Sequence, residues 1–298
     1  MTAPQSVFVS AYAKVNLTLD VLGKRDDGYH ALASVMQTIA LHDTLRISVN
    51  TGGGITFVCD DSTLRGEGNL AFRAAQLMRA EIGDERLGAA IELHKDVPIQ
   101  AGLGGGSSDA AAVLHALNTQ WQVGYPVETL EDLGARLGSD VPFFLRSGTA
   151  LIEGRGEYVT PLPDAEPLWI LLAKPRIGLS TATVFRQLTP GSYSDGTATE
   201  RTADAIRTGQ PIALSGLFNA LESGVVSSFS EVRALRDAML DGGAPVVRMS
   251  GSGPTLFAPF RELARARAAY DTLSGAAIDV WLTNTVTSLQ ARVALPNT

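Results

Sequence analysis

The sequence predicts an α+β protein built as two domains. Its 298 residues suffice for two domains of ordinary size, each with its own core. Period-two stretches and helically spaced stretches are both present along the chain. A new set of elements starts at Leu168, which places the division at residues 1–162 and 163–298. Hydrophobic residues at 45% and charged residues at 18% belong to a globular chain, not a disordered one.

The same composition removes several function classes. A net charge of −7 argues against a nucleic-acid partner, because binding a phosphate backbone needs a basic surface. Cys59 is the one cysteine, so no disulfide can form within the chain and no cysteine metal cluster is possible. That suits a reducing cytoplasm. Met1 to Ser10 shows no basic segment followed by an apolar run, and no apolar stretch approaches a membrane span.

From the N-terminus, Val7 to Leu22 reads as a strand, with Val7, Val9, Val15, Leu17, Leu19 and Val21 alternating. The alternation puts Lys14 and Asn16 together on the opposite face, toward either solvent or a cleft. Asp27-Gly28 marks a turn and leaves Tyr29 and His30 at a loop mouth. Leu41 to Asn50 is a further strand, closed by the Thr51–Gly54 turn. Asn69 to Ile82 is an amphipathic helix, with Leu70, Ala74, Leu77, Met78 and Ile82 on one face and Asn69 suited to its N-cap. A short strand, Ala90 to Leu93, leads into the most informative stretch of the chain.

That stretch runs from Pro98 to Leu114. Gly102, Gly104, Gly105 and Gly106 permit positive φ and close approach of a ligand. Ser107, Ser108 and Asp109 are of helix-capping type, and Ala110, Val113, Leu114 and Leu117 continue at helical spacing. N–H groups converging at a helix start suit a phosphate; a turn for close packing is the plainer alternative. No Lys-Ser or Lys-Thr follows, so this is not a Walker A loop, and Ser107 breaks a Gly-x-Gly-x-x-Gly frame.

Further along, Leu130 to Leu137 is a helix ended by Gly138. Asp140, before Pro142, is either the next helix cap or a catalytic carboxylate. Leu168 to Ala173 is a buried strand, and Phe185 on its own would be assigned to the core. Thr189 to Glu200, rich in Gly, Ser, Thr and Pro, reads as a mobile loop. Helices near Asp204–Thr208 and Phe229–Leu240 precede Val246–Phe257, a strand, glycine turn and strand. Glu262–Leu273 and Ile278–Thr283 supply the last helix and strand.

Pro98-Ile-Gln-Ala-Gly-Leu-Gly-Gly-Gly-Ser-Ser resembles the second motif of the GHMP kinases, with Gln100 where a small residue is usual. Ala13–Leu17 resembles their first motif and Val246–Phe257 their third. Arg25-Asp-Asp-Gly-Tyr-His30 is similar to a hallmark of one branch, whose acceptor is 4-diphosphocytidyl-2-C-methyl-D-erythritol. The resemblance implies a ribosomal-S5-like N-terminal domain and a ferredoxin-like C-terminal domain with the active site between them. It implies phosphoryl transfer from ATP, with Mg2+, to the acceptor's 2-hydroxyl in the non-mevalonate isoprenoid route. Asp140 is then the base and Lys14 its partner. ATP lies along Pro98, Gly102, Leu103, Gly104, Gly105, Gly106, Ser107 and Ser108, with Asn69 near the adenine. Asn16, Tyr29, His30, Thr181 and Phe185 take the substrate, the cytosine lying between Tyr29 and Phe185. Gly251, Ser252 and Gly253 approach the phosphates. The implied partners are this small molecule and ATP, with no nucleic acid or membrane; metal ligands are not assigned and a homodimer is left open.

Overall fold

The computed structural model describes residues 6–274 and 278–293; the first five residues of the stretch read for a leader lie outside it. Two long strands, β1 (Ser6–Lys24) and β2 (His30–Asn50), form an antiparallel pair around the Asp27-Gly28 turn. β2 extends eleven residues upstream of the Leu41 start expected from alternation, because residues 34–39 are buried on both faces and show no period of two. Then come β3 (Ile55–Cys59), α1 (Leu70–Ile82), β4 (Gly88–His94), α2 (Gly105–Gln120), α3 (Val127–Leu137) and α4 (Val141–Arg146). The hairpin of β5 (Thr149–Gly154) and β6 (Tyr158–Pro161) follows. The length of β2 lets it pair twice: residues 44–50 with β4 and residues 32–37 with β5.

The remaining elements are β7 (Trp169–Lys174), α5 (Thr181–Phe185), α6 (Thr197–Arg207), β8 (Phe218–Asn219), α7 (Glu222–Ser228) and α8 (Ser230–Asp241). They end with β9 (Arg248–Met249), β10 (Leu256–Phe260), α9 (Leu263–Leu273), β11 (Asp279–Asn284) and α10 (Ser288–Val293). The second sheet is antiparallel in the order β11-β7-β10-β9, and α8 and α9 pack against it. Thr189 to Glu200 is a correction: its last four residues, Thr197 to Glu200, are the first turn of α6. Gly196 starts that helix in the left-handed region, and the Thr199 amide donates to buried Asp20 at 2.9 Å. A tertiary partner outweighs the loop-like composition there.

Three apolar clusters hold these layers. Leu45, Ile47, Met78, Leu114 and Phe143 join helices to the first sheet, and Leu171, Leu235, Met239 and Ala258 fill the second half. The third lies at the seam, where Val15, Leu17 and Ile39 of the first half meet Ile170, Leu172 and Phe257 of the second. Each such side chain contributes about 1.5–3 kcal/mol on burial. The seam is reinforced by β8, which adds to β1 in parallel, so the two halves meet over packed side chains.

Candidate active site

A cleft of about 1190 Å³ opens beside that seam. Its floor is β1. Register irregularities at Tyr12/Ala13 and Asn16/Thr18 bracket Lys14 to Asn16, and such bulges re-aim side chains. Lys14 is buried, donates from Nζ to Asn16 Oδ1 at 2.5 Å, and lies 3.7 Å from Asp140 Oδ2. Asn16 Nδ2 in turn donates to Ser34 Oγ at 2.8 Å, which fixes the amide's orientation. Burial pushes the Lys14 ammonium below its ordinary range, opposed by the attraction of Asp140.

Asp140 sits at the start of α4, yet its side chain makes no capping hydrogen bond. Its carboxylate faces Lys14 and is about one-third exposed. The two readings of this residue thus separate: its backbone begins the helix while its side chain enters the cleft.

The glycine stretch differs from expectation in one respect. Gly104, at φ +74°, is the N-cap of α2, and no side chain caps this helix. Ser107, Ser108 and Asp109 therefore lie inside the first turns and not at the cap. Gly105, Gly106 and Ser107 are its first three residues, so their N–H groups have no partner within the helix. Ser108 Oγ donates to the Tyr12 carbonyl at 2.7 Å, and the Leu103 carbonyl accepts from the Lys14 amide at 3.0 Å; both ties bind the loop to β1. A Cβ at Gly104 would come within 2.6 Å of the Phe144 ring, and one at Gly102 within 2.1 Å of the Ser250 carbonyl. Ser250 Oγ donates to the Gly102 carbonyl at 3.0 Å, so the two glycine turns touch. A Cβ at Gly251 would lie 3.1 Å from Lys14 Nζ.

At the far end of the cleft the His30 and Phe185 rings are 5.2 Å apart and tilted, with Tyr193 6.1 Å from His30. Tyr29 is 57% exposed and lies under the Arg155 guanidinium, 5.0 Å from ring centre to Cζ. Burial and Lys24 hold His30 below its usual value, so it is neutral at pH 7. Thr181 Oγ1 and Ser252 Oγ are 3.0 Å apart across the cleft.

Lys14, Asn16, Tyr29, His30, Gly102, Gly104, Asp140, Thr181, Phe185 and the Gly251–Gly253 turn all line this one space. Pro98, Leu103, Gly105, Gly106, Ser107, Ser108 and Asn69 are not among its lining residues. Asn69 caps α1, accepting from the Ala71 amide at 2.9 Å and donating to the Leu64 carbonyl at 3.1 Å. Sequence reading missed Arg155, Arg186 and Tyr193. Gly154-Arg-Gly156 is a turn signal that exposes a basic tip, whereas Tyr193 reaches the cleft only through tertiary placement.

Comparison with known proteins agrees with this geometry. The model of the GHMP kinases N terminal domain matches residues 69–148, and that of the GHMP kinases C terminal matches residues 201–279. A 4-diphosphocytidyl-2-C-methyl-D-erythritol kinase of Pelotomaculum thermopropionicum is 46% identical over 86% of this chain and 90% of its own. That of Brevibacillus brevis is 42% identical over 93% and 95%. A crystal structure of 4-(cytidine 5'-diphospho)-2C-methyl-D-erythritol kinase superposes with a TM-score of 0.81 at 33% identity, covering 94% of this chain and 99% of that one. Two glycine turns meeting at a lysine and an aspartate, with this likeness along nearly the whole length, place the chain in the 4-diphosphocytidyl-2-C-methyl-D-erythritol kinase family of the GHMP kinases, ATP-using kinases of small molecules.

Proposed function

We propose that this chain transfers the γ-phosphoryl of ATP to the 2-hydroxyl of 4-diphosphocytidyl-2-C-methyl-D-erythritol, a step of the methylerythritol phosphate route to isoprenoids. The observation that carries it is one cleft with the Lys14–Asp140 pair at the glycine turns and a ring cluster at the other end. Asp140 takes the hydroxyl proton, and Lys14 holds that carboxylate and the hydroxyl in line, since phosphoryl transfer is chiefly positioning and charge stabilisation. The free N–H groups of Gly105, Gly106 and Ser107 hold phosphate oxygens, with the Gly251–Gly253 turn closing on them. Tyr29 stacks on the cytosine, with Phe185 on its other side, and neutral His30 offers one donor and one acceptor to its edge. Lys24, Arg155 and Arg186 bring positive charge to the substrate's diphosphate.

Mg2+ fits this cleft only as a passenger of the triphosphate. Among the described residues no three His, Cys, Asp or Glu side chains cluster, and Asp140 is the one carboxylate lining the space. Mg2+ commonly takes one or two carboxylates plus substrate phosphates, so Asp140 would be its protein ligand, and the ion would screen phosphate charge. We put the domain division at 162/163, a reading supported by the Leu162 amide, which still donates to the Thr149 carbonyl of β5, and by β7, which belongs to the second sheet. A cytoplasmic location is the compartment that a free, buried Cys59 suits. A homodimer is the assembly to separate from the monomer by a solution mass measurement.

A coupled ADP-release assay with the diphosphocytidyl substrate tests the reading, with CDP expected to compete. Turnover of homoserine or mevalonate at a comparable rate, without competition by CDP, would sink it.

A further inference from the structure

A second pocket, of about 580 Å³, lies in the C-terminal half and shares no lining residue with the cleft. Arg233, Arg236 and Arg248 line it together with Glu222, so three guanidinium groups face one carboxylate. Glu222 is itself committed, accepting from the Met249 amide at 2.8 Å. The arginines are held in place from behind. Arg233 donates to the Val226 and Ser227 carbonyls at 3.1 and 2.8 Å, and Arg248 to the Leu217 and Val247 carbonyls at 2.5 and 2.7 Å. Arg236 Nε is buried with no hydrogen-bond partner, a state that is unfavourable until an acceptor reaches it. Arg233 is exposed and Arg236 and Arg248 are half-buried, and Glu222 is the one carboxylate among the lining residues, so the pocket carries an excess of positive charge. Phe218, 36% exposed, and Val226 form an apolar wall beside them.

We propose that this pocket binds an organic phosphate, its phosphate on Arg236 and Arg248 and its apolar part against Phe218 and Val226. Guanidinium groups suit phosphate oxygens because their paired donors match them in plane. The wall selects a phosphate that carries carbon over inorganic phosphate. Asn219 ties the pocket to the cleft, since its Nδ2 donates to the Met249 and Gly251 carbonyls at 2.7 and 2.8 Å.

Calorimetric titration of the full chain with phenyl phosphate, and separately with inorganic phosphate, tests this. One saturable equivalent of phenyl phosphate is expected, tighter than inorganic phosphate. Arg236→Gln should weaken it at least tenfold, as should Ser223→Asp, which adds a carboxylate at an exposed position on the rim. Lys14→Met should leave it unchanged. Ser223→Asp keeps the test decisive if Arg236→Gln fails to fold. The proposal is overturned by no saturable binding, by binding that survives Ser223→Asp, by loss of binding in Lys14→Met, or by equal affinity for inorganic phosphate.

Discussion

At the scale of single residues, Lys14 and Asp140 show function set against stability. Burial lowers the Lys14 pKa below 10.5. A depressed folded-state pKa contributes stability only above the unfolded value, and that contribution is lost as pH falls. Below the unfolded value, pH 7 included, keeping Lys14 buried is therefore a cost to the fold. Lys14→Met is expected to melt at the same temperature or higher while turnover falls by orders of magnitude, read by thermal denaturation beside the kinase assay. Asp140→Asn removes the carboxylate that takes the proton and pairs with Lys14, so kcat should fall by roughly 10²–10⁴ with little change in the KM for the cytidine substrate; near-normal turnover would reject its role. Tyr29 is exposed and serves no core. Tyr29→Ala should weaken the cytidine substrate by about 1–3 kcal/mol and leave the KM for ATP untouched.

Among elements, the glycine loop and the Gly251 turn matter as a pair. Gly102 has φ +75° and no room for a Cβ against the Ser250 carbonyl, which is backbone and cannot swing away. Gly102→Ala should cost about 1–3 kcal/mol from backbone strain alone. It should also raise the KM for ATP, because the turns must part to relieve the clash. A melting temperature and ATP KM both equal to wild type would show that the two turns do not depend on this contact. The glycines were legible from sequence, since few other residues occupy positive φ. The start of α2 was not: three capping-type residues sat inside the helix because Ser108 found the Tyr12 carbonyl and Asp109 found Lys95 instead.

On the scale of the whole molecule, the buried triad of Asp43, Lys95 and Asp109 lies beneath the glycine loop. Lys95 Nζ donates to Asp43 and, at 2.9 Å, to Asp109, and a Cβ on Gly105 would sit 3.2 Å from it. Two carboxylates share one ammonium. Burial, with Asp43 beside it, pushes Asp109 up to about 8. A raised folded-state pKa contributes stability that is full below the unfolded value near 3.8 and is lost as pH rises toward 8. The wild-type melting temperature should thus decline from pH 5 to pH 8 more steeply than that of Asp109→Asn, which stays neutral throughout. Parallel slopes for the two proteins would refute the protonated triad.

Much here is local and so was open to reading in one dimension. Glycines at positive φ, an Asp-Gly turn before Tyr29-His30, and alternation that pairs Lys14 with Asn16 all arise from steric limits on neighbouring residues. What only the tertiary structure decided depends on distant partners. It turned Asp140 from a cap toward Lys14, drew Thr199 onto Asp20 to begin α6 early, set Phe185 beside His30, and buried Lys95 between two carboxylates. Those outcomes rest on desolvation and pairing between groups far apart in the chain, for which no local pattern exists to be read.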